Sequence, residues 1–177
     1  TACECIADFK RDPDFRAEDV EKVVLKTHHN ILQAHMNYTP NSVGAAQYST
    51  PFSMALNIMR DVTDPAPFLD EHLNEDPAIL AFAQKVTAEL DPEIDALFPE
   101  HYGNKVEITM KDGRIFKGQY VDYAGSAAKP FSYEQIVGKF EGLVEKVYEP
   151  SAAARLEENM GKLPQMADVN QLFAGLR

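Results

Sequence analysis

The sequence predicts an α+β fold: a β-hairpin-containing antiparallel or mixed sheet packed by helices, followed by C-terminal helices. Three observations lead there. VEKVVLKTH, Val20 to His28, is rich in β-branched residues and reads as a strand. VEITMKDGRIFKGQYV, Val106 to Val121, alternates apolar residues at Val106, Ile108 and Met110, and Asp112-Gly113 is expected to supply the positive φ angles of a tight hairpin turn. Stretches of helical periodicity lie around these strands with no regular strand–helix alternation.

Each element follows from its residues. Ala2, Cys5, Ile6 and Phe9 fall on one helical face, and DPDF at Asp12 to Phe15 breaks that helix. After the Val20–His28 strand comes a polar loop with Asn37, Pro40, Asn41 and Gly44. AQYSTPFSMAL, Ala46 to Leu56, then opens a helix: Thr50 suits the N-cap, Pro51 the first helical position, and Phe52, Ala55, Leu56 and Met59 repeat at helical spacing. TDPAP, Thr63 to Pro67, closes it. Asp76-Pro77 starts another helix with Ile79, Phe82, Ala83 and Val86 as its buried stripe, and a short strand fits Thr87 to Leu90. In the hairpin, Ile115, Phe116, Tyr120 and Val121 leave the register open. PFSYEQIVGKF carries a capping box in Ser132 and Gln135, with Phe131 and Ile136 spaced as a staple. Ile136, Phe140, Leu143, Val144 and Val147 form its apolar face, and Pro150 is expected to end it. Helices over Ala152–Met160 and Asp168–Leu176 complete the chain.

Bulk properties narrow the function. With 177 residues, 45% hydrophobic and 25% charged, the chain has the length for one domain with a core, or one domain with an appendage. A net charge of −11 argues against nucleic acid or an anionic membrane as partner, though not against a small anion that meets only local groups. There is no apolar run of about 18 residues and no signal peptide, so a cytoplasmic protein is expected. Cys3 and Cys5, the only cysteines, match neither a redox pair nor half a zinc site and are expected to be small buried helix residues. The chain starts inside a helical pattern without Met, which reads as a fragment of a longer protein.

Chemistry-bearing residues are few. His28, His29 and His35 gather near the end of the first strand, where imidazoles suit proton transfer near neutral pH. On a strand His28 and His29 would face opposite ways. No carboxylate or cysteine stands at ligand spacing beside them, so no metal is expected. His72 lies in the acidic run Asp70–Asp76, a solvated loop, and His101-Tyr102 precedes the hairpin at the surface. Ser49 lacks a nucleophile elbow and reads as part of a helix start. Lys105, Lys111, Arg114 and Lys117 form either a basic patch or the protective lysines of a sheet edge. No phosphate-binding glycine loop is present, so no nucleotide cofactor is expected.

Four stretches together resemble the MmgE/PrpD family, which includes 2-methylcitrate dehydratase, cis-aconitate decarboxylase and iminodisuccinate epimerase. They are VEKVVLKTH; AQYSTPFSMAL; VEITMKDGRIFKGQ followed by AGSAAKPFS; and YEQIVGKFEGLV with its Lys139-Phe140 pair. The resemblance implies a small lid-type α+β domain over residues 1–130. Residues 131–177 would then be C-terminal helices that return to a helical domain encoded upstream. It implies a cofactor-free lyase or isomerase acting on a small polycarboxylate by proton abstraction next to a carboxylate, with the main catalytic residues before Thr1. His28, His29, His35 and Tyr38 become lid candidates, and a chain of this charge looks inactive by itself. Exposed helical surface would favour self-association, as in a homodimer. The alternative is a non-catalytic acidic α+β module for protein interaction or ligand binding.

Overall fold

The computed structural model describes residues 1–60 and 77–174. The chain divides into two compact units, Thr1–Lys129 and Pro130–Arg177. The expected TDPAP helix end, the Asp76 cap and His72 lie outside the described residues.

The first unit is built on four strands: β1 (Val20–Thr27), β2 (Val86–Leu90), β3 (Asn104–Met110) and β4 (Ile115–Tyr120), in the spatial order β2-β1-β3-β4. β1 runs parallel to β2 and antiparallel to β3, and β3 antiparallel to β4, so the sheet is mixed and open. An irregularity between Val20 and Lys22 places exposed Glu21 and Lys22 side by side. It keeps both Val20 and Val23 pointing inward, which a strict period of two forbids.

Helices cover one face of the sheet. Val23 and Leu25 of β1, Val86 of β2, and Val106, Ile108 and Met110 of β3 are fully buried. They pack with Cys5, Ile6 and Phe9 of α1 (Ala2–Phe9), Phe52, Met54 and Leu56 of the helix Thr50–Met59, and Ile79 and Phe82 of the helix Pro77–Ala83. The other face is polar and carries a lysine–glutamate ladder, Lys26–Glu107 at 3.0 Å and Glu107–Lys117 at 3.2 Å. One buried and one solvated face is the usual economy of an antiparallel sheet.

Several local expectations shift. The stretch after β1 is not all loop: α2 (His29–Ala34) and α3 (Val43–Gln47) form within it, ahead of α4 (Thr50–Met59). The cap of α4 is Ser49, whose Oγ accepts from the Phe52 N–H, one residue earlier than Thr50. Val86 belongs to β2 instead of the stripe of α5 (Pro77–Ala83), which ends before it. After α6 (Pro92–Asp95), the hairpin turn uses one positive φ, at Gly113 (87°), and not two. Gly113 N–H bonds to Met110 O and Met110 N–H to Arg114 O, which makes a three-residue loop with the glycine absorbing the left-handed step. The open register of β4 resolves as an edge strand, with Phe116, Gly118 and Tyr120 inward and Ile115 exposed.

The second unit opens with α7 (Tyr133–Val144), whose Ser132–Gln135 capping box forms as expected. Its staple residues Phe131 and Ile136 are both exposed, and none of its residues is fully buried. Pro150 does not end α7; it starts α8 (Pro150–Gly161), where Ala152, Ala153 and Leu156 are buried. The last expected helix is a 3-10 turn over Val169–Phe173, capped by Asp168, and Leu176 lies outside the described residues. No described helix is long and apolar enough to cross a membrane.

Candidate functional site

All four described histidines sit at one end of the sheet, where β1 finishes and β3 begins. The strand ends at Thr27, so His28 takes the N-cap of α2 and His29 its first turn. Alternation therefore stops, and both rings meet Phe98 instead of facing opposite ways. His28 stacks on Phe98 at 4.3 Å and His29 approaches it edge-on at 5.2 Å. His28 is 1% exposed, and burial holds its pKa below the ordinary histidine value. His29 is exposed and holds Asp95 through Nδ1 at 2.6 Å and its backbone N–H at 2.8 Å. Those hydrogen bonds, the backbone one foremost, keep the Asp95 carboxyl below its usual range. His101 makes a similar pair with Asp122 at 2.8 Å. Tyr102 is exposed beside it, as a surface loop predicts.

His35 faces elsewhere. It closes α2 and lines a cleft of about 270 Å³ together with Ile31, Gln47, Tyr48, Ser49, Thr50, Ser53 and Asn104, and with the start of α1. The AQYS segment thus does two jobs. Ser49 caps α4 and donates its hydroxyl proton to Asn37 O, while Gln47 and Tyr48 turn toward the cleft rim. The Tyr48 ring stacks on His35 at 5.9 Å and 17°, and its own carbonyl lies 3.1 Å from His35 Nδ1. A carbonyl only accepts, so Nδ1 carries the proton and Nε2 holds the lone pair in the neutral ring. Nε2 lies 3.4 Å from Asn30 Nδ2.

The cleft mixes apolar and polar groups, and no Lys, Arg, Asp or Glu side chain is among its lining residues. Beneath this end of the sheet, Thr27 Oγ1, His28 Nδ1 and Asn104 Oδ1 are buried without hydrogen-bond partners among the described residues. Asn104 Nδ2 donates to Thr1 Oγ1 at 2.6 Å, and Thr1 Oγ1 donates to Tyr102 O at 2.8 Å.

Of the sequence candidates, only His35 reaches the cleft. Tyr38 donates to Val86 O at 2.9 Å, and burial raises its phenol pKa. Three of the four hairpin cations, all but Lys111, are ion-paired among the described residues. Lys105 pairs with Asp91 and Glu93, Arg114 with Asp112 and Lys117 with Glu107, as guarded sheet surfaces do. Cys5 is buried, as expected, and burial pushes its thiol up to about 11; Cys3 is half-buried on the cleft wall. No group of three metal-ligating side chains occurs among the described residues. Asn30, Tyr48 and Asn104 carried no sequence signal of a site, apart from the polar character of AQYS.

A mixed α+β domain with a histidine-bearing cleft at one sheet end is the class these features define. The sequence profile of the MmgE/PrpD C-terminal domain matches residues 1–164, and the chain belongs to that family, one of dehydratases and isomerases. No curated protein matches the chain closely enough to add to this.

Proposed function

We propose that the chain is the lid-type C-terminal region of a lyase or isomerase that removes a proton next to a carboxylate of a small polycarboxylic acid, in the manner of a 2-methylcitrate dehydratase. The observation that carries the reading is the cleft in which His35 meets the AQYS segment of a family member. An imidazole with one nitrogen fixed and the other unprotonated suits a general base near neutral pH. Polar neighbours in Gln47, Ser53 and Asn104 suit hydroxyl and carboxyl groups of such a substrate. The cleft lining holds no Lys or Arg side chain, and a polycarboxylate needs such cations both to bind and to stabilise the charge that forms. Those groups belong to a preceding helical domain in this reading, and the chain by itself is silent.

The test is proton NMR in D₂O with citrate, 2-methylcitrate, cis-aconitate and iminodisuccinate, using this chain and a longer product of the same gene. Exchange or turnover by the longer protein alone is the expected result and identifies the substrate. Turnover by the short chain would show that the groups described here suffice, against the proposed division of labour. Silence from both would favour a non-catalytic acidic module.

A further inference from the structure

Resting on that reading, we infer that His35 moves the proton through Nε2, and that Asn30 is a positioning residue that serves the ring in both of its protonation states. The ring is fixed on two sides. Tyr48 O takes the Nδ1 proton at 3.1 Å, and the Tyr48 ring lies nearly parallel to it. Only Nε2 is left to react, and the side chain set against it is the half-buried amide of Asn30 at 3.4 Å. Both residues are held by α2: Asn30 stands in its first turn and His35 at its C-cap.

The choice of an amide has chemical content. A carboxamide presents a donor at one corner and an acceptor at the other, and a rotation of about 180° exchanges them. Against the neutral ring, Nδ2–H points at the Nε2 lone pair. Once Nε2 is protonated, the turned amide offers Oδ1 to the new N–H. An aspartate could serve only the protonated ring, and a lysine only the neutral one. In the step itself, the Nε2 lone pair takes a proton from the carbon beside a substrate carboxylate. The C–H bonding pair remains as the enolate of that carboxylate, and nothing is oxidised or reduced. The imidazolium then returns its proton to carbon, or to a departing hydroxyl that leaves as water. The long Asn30 contact is weak enough for the substrate to displace at the moment of transfer.

Long-range ¹H–¹⁵N correlation of the histidine rings tests this on the 177-residue chain, with His35→Gln assigning the His35 signals. At about pH 8 the expected pattern is a protonated Nδ1 and an unprotonated Nε2. Asn30→Asp should keep His35 doubly protonated at a pH where the parent ring is neutral, and Asn30→Ala should leave Nδ1–H in place. A protonated Nε2 with bare Nδ1 in the parent overturns the assignment, whether or not the variants fold. So does an Asn30→Asp chain that is folded by its amide spectrum yet has unchanged His35 nitrogen shifts. In the longer protein, His35→Gln should abolish deuterium exchange at the carbon next to the carboxylate. Exchange that survives sinks the role of His35 alone. Absence of exchange in the unsubstituted longer protein sinks the functional reading, and the catalytic role with it.

Discussion

His28 and His35 bracket one short helix, α2, the first buried and the second at the cleft. His28 is sealed between the end of β1 and Phe98, where a charged imidazole would lose its hydration without gaining a counter-ion at contact. His29, Asp95 and His35 are the charged or titrating groups that act on it, and of these only Asp95 favours the proton. Its folded pKa therefore lies below its unfolded one, so the unfolded chain binds protons more readily as pH falls. Stability owed to neutral His28 is complete above the ordinary histidine value and declines as pH falls below it. We expect His28→Gln to flatten the loss of thermal stability as pH falls below about 6.5. An acid limb of unchanged slope in that variant would place the titrating group elsewhere.

At the scale of elements, α1 approaches β4 closely at Gly118. A Cβ built on Gly118 would lie 3.0 Å from Phe9 Cζ and 3.2 Å from Cys5 Cβ, too near for both. Gly118→Ala should cost about 1–3 kcal/mol by overpacking. Phe9→Leu, which withdraws the ring tip, should cost less in the Gly118→Ala background than alone. Denaturant midpoints of the four proteins check this, and strictly additive effects would show that the two sites do not meet. The sequence made some elements readable and hid others for physical reasons. β3 and the α7 cap were legible because their information is local: alternation in Val106, Ile108 and Met110, and a box closed within Ser132–Gln135. α2 was not, since its residues HNILQA carry no side-chain cap and none is fully buried. Val86 sat where helical and strand periods coincide, and only its pairing with Val23 decides between them. The cleft was least legible, because it depends on His35, Tyr48 and Asn104 meeting across the chain. No local pattern records such a meeting.

For the molecule as a whole, burial is unevenly shared. The central strands β1 and β3 place a row of fully buried residues under three helices, whereas α7 has none and α8 only Ala152, Ala153 and Leu156. Local opening should follow the same order. Native-state hydrogen exchange is expected to find the slowest amides in Val23–Leu25 and Val106–Met110, and much faster ones throughout Tyr133–Val144. Protection of α7 equal to that of β1 would contradict this ranking.

The strand order carries a consequence for how the chain assembles. β1 is a central strand, and both its neighbours come late: Val23 pairs with Val86 on one side and Ile108 on the other. β3 and β4 can close as a hairpin in about 1–10 μs, whereas β1 must wait for distant chain to be gathered. During synthesis it emerges well before either partner and stands meanwhile as a β-branched ribbon with two open edges. Such a ribbon readily adds to copies of itself. Glu21, Lys22 and Lys26, set among its valines and leucine, are the residues that restrain it. Exchanging those three for apolar side chains would do its first harm on the ribosome, before any fold existed to be destabilised.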